Sequence, residues 1–89
     1  MNSNANWELK IDEGVYKELR KFPKKDAARV IAVIENPRFN PYAGDIEKIK
    51  GEENTWRRRI GTYRIFYEVK QIRRLVHIFW IERRTSKTY

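Results

Sequence analysis

Trp7, Leu9 and Ile11 alternate with Glu8, Lys10 and Asp12, the period-two pattern of a strand with one buried face. Asp12 is then placed to cap a helix. Val15, Tyr16, Leu19 and Phe22 fall on one helical stripe and Pro23 ends it. Ala27, Val30, Ile31 and Ile34 repeat at i, i+3, i+4 and i+7, and Pro37 stops that second helix because the residue before a proline avoids the α region. Two short helices around a proline predict an antiparallel helical hairpin. The stretch "PRFNPYAGDIEKIKGEEN" reads as a connector with little regular structure, and its length hints at function or a partner surface. From Thr55 the period returns to two. "TWRRRI" and "YRIFYEV" flank Gly61-Thr62, which suits a type II′ hairpin turn, and "LVHIFWI" follows a second turn. The predicted order is β-α-α-β-β-β. This is an α+β fold in one domain, residues 1–89, with the helices on one face of an antiparallel meander and the first strand paired at an edge or in the middle of the sheet.

Alternation also sorts the strand side chains into faces. It predicts that Trp56, Ile60, Ile65, Tyr67, Val76, Ile78 and Trp80 meet the helices. Arg57, Arg59, Arg64 and Arg83 then converge on the open face, with Phe66 and Phe79 offering stacking surface beside them. Arg58 is directed toward the core, so it is expected to snorkel at the sheet edge or to pair with an acid.

Composition narrows the chemistry. There is no cysteine and one histidine, His77, so disulfides, thiolate metal sites and the usual His-rich zinc sets are excluded, and no metal or cofactor is expected. No apolar run approaches membrane-spanning length and the first residues have no apolar signal core, which leads to the expectation of a cytoplasmic protein that keeps off membranes. The net charge is +8, and all of the excess lies in residues 48–89. That half carries 12 Lys/Arg and 4 Asp/Glu, against 8 and 8 in residues 1–47. Such asymmetry points to a polyanion or an acidic partner, and clustered guanidinium groups favour phosphate.

The segments "KIKGEENTWRRRIGTYRIFYEV" and "ERRTSKTY" resemble the RelE/ParE superfamily of bacterial and archaeal toxins, in its RelE branch. The matching positions are Lys48 to Gly51, Trp56 to Arg59, Gly61 to Arg64, Arg83 and Tyr89. The resemblance implies an endonuclease that cuts mRNA in the ribosomal A site without metal, the ribose 2′-OH attacking the adjacent phosphate. It implies Arg57, Arg59, Arg64, Arg83 and Tyr89 as catalytic residues and Lys50 as a further backbone contact. Arg58, Arg84 and Lys87 are read from their charge as RNA contacts, with solvated charge as the alternative for Arg84 and Lys87. The resemblance also implies an acidic antitoxin, RelB-like or other, with operator DNA reached only through the antitoxin complex. One departure stands out: the two strand positions that are lysines in the best-known bacterial RelE are arginines here. Arginine does not deprotonate in a protein, so neither Arg57 nor Arg59 is a general base. Tyr89, Glu82, His77 or a ribosomal group is left for that role.

Two rival readings use the same surface. One is a ParE-like toxin that inhibits DNA gyrase, and the other a non-catalytic RNA- or DNA-binding module.

Overall fold

The computed structural model describes residues 7–84. Strand β1 (Glu8–Ile11) leads into helices α1 (Glu13–Leu19) and α2 (Lys24–Ile34), followed by β2 (Ile46–Lys48), β3 (Thr55–Ile60), β4 (Tyr63–Lys70) and β5 (Leu75–Arg83). The strands form one five-stranded sheet in the order β1-β5-β4-β3-β2. β1 is an edge strand parallel to β5, while the β2–β3, β3–β4 and β4–β5 pairs are antiparallel. The α+β architecture follows the expected order, with one strand added. β2 lies inside the segment read as an irregular connector. Its three residues are too few for a periodic signal, and it is a strand because Ile46, Glu47 and Lys48 pair with Arg58, Arg57 and Trp56.

The helices form where the apolar stripes predict. Val15 and Leu19 of α1 and Val30 and Ile34 of α2 are buried against Ile65, Tyr67, Val69, Val76, Ile78 and Ile81 of the sheet. Pro23 does not end α1, which stops at Leu19. It stands instead as the N-cap of α2, where its missing N–H costs nothing. Asp12 occupies the N-cap of α1 but makes no side-chain cap bond. Its Oδ1 lies 2.8 Å from His77 Nε2 across the β1–β5 seam.

The connector contributes to the core as well. Phe39 is buried edge-on to Tyr67, with ring centroids 5.8 Å apart. The Tyr67 hydroxyl donates to the Pro41 carbonyl at 2.7 Å, so a buried phenol and a buried carbonyl satisfy each other. Gly61 has φ +62 in the two-residue loop between β3 and β4, and Thr62 stays outside the left-handed region, which is the predicted II′ turn.

Candidate nucleic-acid interface

Residues paired across strands share a face, so the registers show which side chains meet. Arg57 pairs with Phe66 and Arg59 with Arg64. These four stand on the face away from the helices, and three of the five residues expected as catalytic, Arg57, Arg59 and Arg64, lie together there with Asp45 and Glu47 in one small polar cleft.

The carboxylates of this cleft come from β2, which the sequence pattern does not reveal, and from the residue just before it. Arg57 donates from Nε, at 3.2 Å, and from Nη2 to Glu47 Oε1. Arg59 Nε lies 3.2 Å from Asp45 Oδ2, and its backbone N–H donates to the Asp45 carbonyl at 2.9 Å. The Arg57 hydrogen bond, then its charge, holds the Glu47 carboxyl below the usual carboxylate range. Both pairs are open to solvent, so they orient the guanidinium groups with little net stabilisation. Arg64 has no carboxylate partner among the described residues; across the β4–β5 pairing it stands opposite Glu82. The cleft thus combines two arginines held by exchangeable carboxylates with a third available for a phosphate.

Arg83 is not on this face. The β4–β5 register steps from Tyr67↔Ile78 to Phe66↔Trp80, so β5 has an extra residue at Phe79 and its alternation inverts beyond that point. Ile81 and Arg83 therefore turn to the helix side. Arg83 pairs with Tyr63, its guanidinium 5.8 Å from the ring centroid. For the same reason Trp80 does not meet the helices. It is 41% exposed and stands beside Phe66 on the cationic face, while Ile81 is fully buried in its stead.

Arg58 also departs from its expected place as an RNA contact. It points to the helix side, as alternation requires, but finds an aromatic ring rather than an acid. Its guanidinium stacks 5.4 Å from the Phe39 centroid. Gly44, at φ +89, needs to be glycine for its conformation, and a Cβ there, 2.7 Å from Arg58 Nε, would push the end of the Arg58 side chain aside. Lys50 is exposed in the turn after β2, at the Thr55 end of β3, whereas Arg59 and Arg64 lie at the Ile60 end. Arg84 is exposed beside the β3–β4 turn, its N–H donating to the Thr62 carbonyl at 2.6 Å. Lys87 and Tyr89 lie outside the described residues.

The other end of the open face has a different character. A cleft of about 590 Å³ is lined by Thr55, Phe66, Glu68, His77 and Phe79 together with Glu52 and Glu53. His77 is there, next to Asp12, and away from Arg59 and Arg64.

A family model described as the ParE toxin of type II toxin–antitoxin systems matches residues 9–85. The chain belongs to this RelE/ParE family of toxins. It is 32% identical over 79 residues to the RelE1 toxin of Methanocaldococcus jannaschii, covering 85% of this chain and 88% of that one. The fold matches that of the RelBE2 toxin–antitoxin complex of Mycobacterium tuberculosis with a TM-score of 0.75 at 21% identity, over 89% of this chain and 99% of that one. It also matches the archaeal RelE–RelB complex of Pyrococcus horikoshii with a TM-score of 0.75 at 24% identity, over 92% and 99%. The protein is the toxin of a type II toxin–antitoxin system.

Proposed function

We propose that this toxin is an endoribonuclease that cuts mRNA held in the ribosomal A site and needs no metal ion. The observation that carries this reading is the grouping of Arg57, Arg59 and Arg64 on one rigid sheet face. In the proposed reaction the ribose 2′-oxygen loses its proton and bonds to the adjacent phosphorus. The bond to the 5′-oxygen of the next nucleotide breaks, and that oxygen takes up a proton. The products are a 2′,3′-cyclic phosphate and a 5′-hydroxyl. Charge on the phosphoryl oxygens peaks in the pentacoordinate transition state, where preorganised guanidinium donors act most strongly. Arg64 is assigned to that charge, with Arg57 and Arg59 exchanging Glu47 and Asp45 for phosphate oxygens. Glu82, opposite Arg64, is better placed than His77 to handle the proton, and Tyr89 keeps the role that the resemblance gives it. Arg83, on the other side of the sheet beside Tyr63, is left out of the phosphate cluster and given a role at its rim.

The same reading assigns an acidic antitoxin as partner, in keeping with the complexes formed by the structural relatives. It assigns operator DNA only to that complex, and the cytoplasm as the place of action. The test is controlled expression without antitoxin, with mRNA 5′ ends mapped with ribosomes present and absent. Growth arrest with new ribosome-dependent ends is expected. Continued growth while soluble, folded protein accumulates removes the reading. The ParE name of the family model favours one second reading, gyrase inhibition. Loss of supercoiling activity with intact mRNA in the same cells selects it instead.

A further inference from the structure

The open face carries more than charge. Phe79 and Trp80 are neighbours in sequence, yet both are exposed, at 36% and 41%, with fully buried Ile81 directly after them. A regular strand would turn Trp80 inward and Ile81 outward. The extra residue at Phe79 reverses that and leaves Trp80 on the open face, 41% exposed. Sheathing an indole against the helices would have contributed burial free energy that this arrangement forgoes. Bulges of this kind re-aim side chains beside functional sites.

What the indole is aimed at is set by register. Trp80 stands opposite Phe66, and Phe66 opposite Arg57. Trp80 and Arg57 are thus two strand spacings apart, about 10 Å, which is the scale of one nucleotide from phosphate to base. The next pair along the strands is Arg64 with Glu82. A flat aromatic shelf and a guanidinium row therefore share one face, edge to edge. We propose that Trp80, flanked by Phe66 and Phe79, is the base-stacking residue for an unpaired nucleotide whose phosphate lies on Arg57 and Arg64. The assignment rests on the RNA-cutting reading above and names the part of the substrate that this end of the site recognises. The guanidinium row selects the occupant: it complements a phosphate backbone, and flat π-faces complement bases of any sequence. Discrimination at this position is then for the presence of a base rather than its identity.

The experiment uses the intact chain, a short single-stranded RNA, and the same RNA with one abasic nucleotide placed at each position in turn. Binding is measured directly, and cleavage is measured on ribosomes programmed with the corresponding mRNAs. Trp80→Ala is expected to weaken binding about tenfold, within the range for one stacked base, and Trp80→Phe to restore most of it. At one position the abasic substitution should weaken the wild-type chain by a similar factor and leave Trp80→Ala unaffected. Additive losses for the protein and RNA changes overturn the stacking role, as does wild-type binding by Trp80→Ala. Unchanged RNA binding together with lost antitoxin binding assigns the shelf to the protein partner and also overturns it. Wild-type binding with no cleavage removes the nuclease reading alone, because the abasic comparison still reads stacking. Absence of any RNA binding removes both.

Discussion

Arg57, Arg58 and Arg59 are consecutive and chemically identical, yet the pleat divides them between the open face and the helix side. Arg64→Ala should lower cleavage by about a hundredfold or more, the scale for removing one oxyanion-type donor, without moving the unfolding midpoint. Arg58→Ala should do the reverse. It removes a guanidinium packed on Phe39, so thermal unfolding should shift while the salt dependence of RNA binding stays the same. Equal effects of the two substitutions on cleavage would undo the division. Tyrosines supply a second test at this scale. Burial pushes the Tyr67 phenol up to about 12. Burial, then the hydrogen bond to Glu35, pushes Tyr16 up to about 12 as well. A tyrosine raised above its unfolded value keeps its proton in the folded state while the unfolded chain gives it up. Its contribution is complete below a pH of about 10 and is lost as pH rises through about 12. Urea midpoints should therefore fall across that window. Tyr67→Phe should flatten the fall, and at neutral pH it should cost about 1 kcal/mol for the unpaired Pro41 carbonyl. Identical pH slopes in the two proteins would show that Tyr67 does not carry the effect.

At the scale of elements, β2 matters beyond its three residues. It and the residue before it place Glu47 and Asp45 on Arg57 and Arg59, so a phosphate must displace carboxylates to reach those arginines. Glu47→Gln should tighten RNA binding and steepen its log–log salt dependence by about 0.7, the increment for one further single-strand phosphate contact. A titration series in potassium chloride checks this, and weaker binding would mean that Glu47 positions Arg57 rather than competing for it. Nothing in "DIEKIK" announced this strand, because three residues in a Pro- and Gly-containing segment show no period and pair only through long-range register. The helices were legible, since apolar stripes such as Val15, Leu19 and Val30, Ile34 repeat over several turns. Arg57, Arg59 and Arg64 were legible for a related reason: β3 and the adjoining part of β4 keep strict alternation. Arg83 and Trp80 were misplaced because the register step opposite Phe66 and Tyr67 is a property of two strands together. "LVHIFWI" is apolar at nearly every position, so neither face of it is marked in advance.

The whole molecule shows a division of labour between layers. The two helices and Phe39 of the connector cover one side of the sheet, and the other side carries Arg57, Arg59 and Arg64 with the exposed Phe79 and Trp80. The sheet order also places β5, the last strand in sequence, between β1 and β4, and α1 packs against β5 as well. Glu8 to Ile11 have no sheet neighbour until Leu75 to Ile78 exist. Pairing over that span carries the loop-closure cost that makes folding slow and late. The expectation is that nascent chains stalled before residue 75 are cut readily by added protease, whereas full-length chains held on the ribosome by an added C-terminal linker long enough to expose residue 84 resist it. Protection appearing once β4 has emerged would contradict this. A toxin proposed to attack translating ribosomes is thereby assembled last-strand-first in importance. A chain that has not yet reached Leu75 lacks the strand that β1 and β4 both pair with, so an unfinished toxin offers a partner an open sheet edge that the finished fold no longer has.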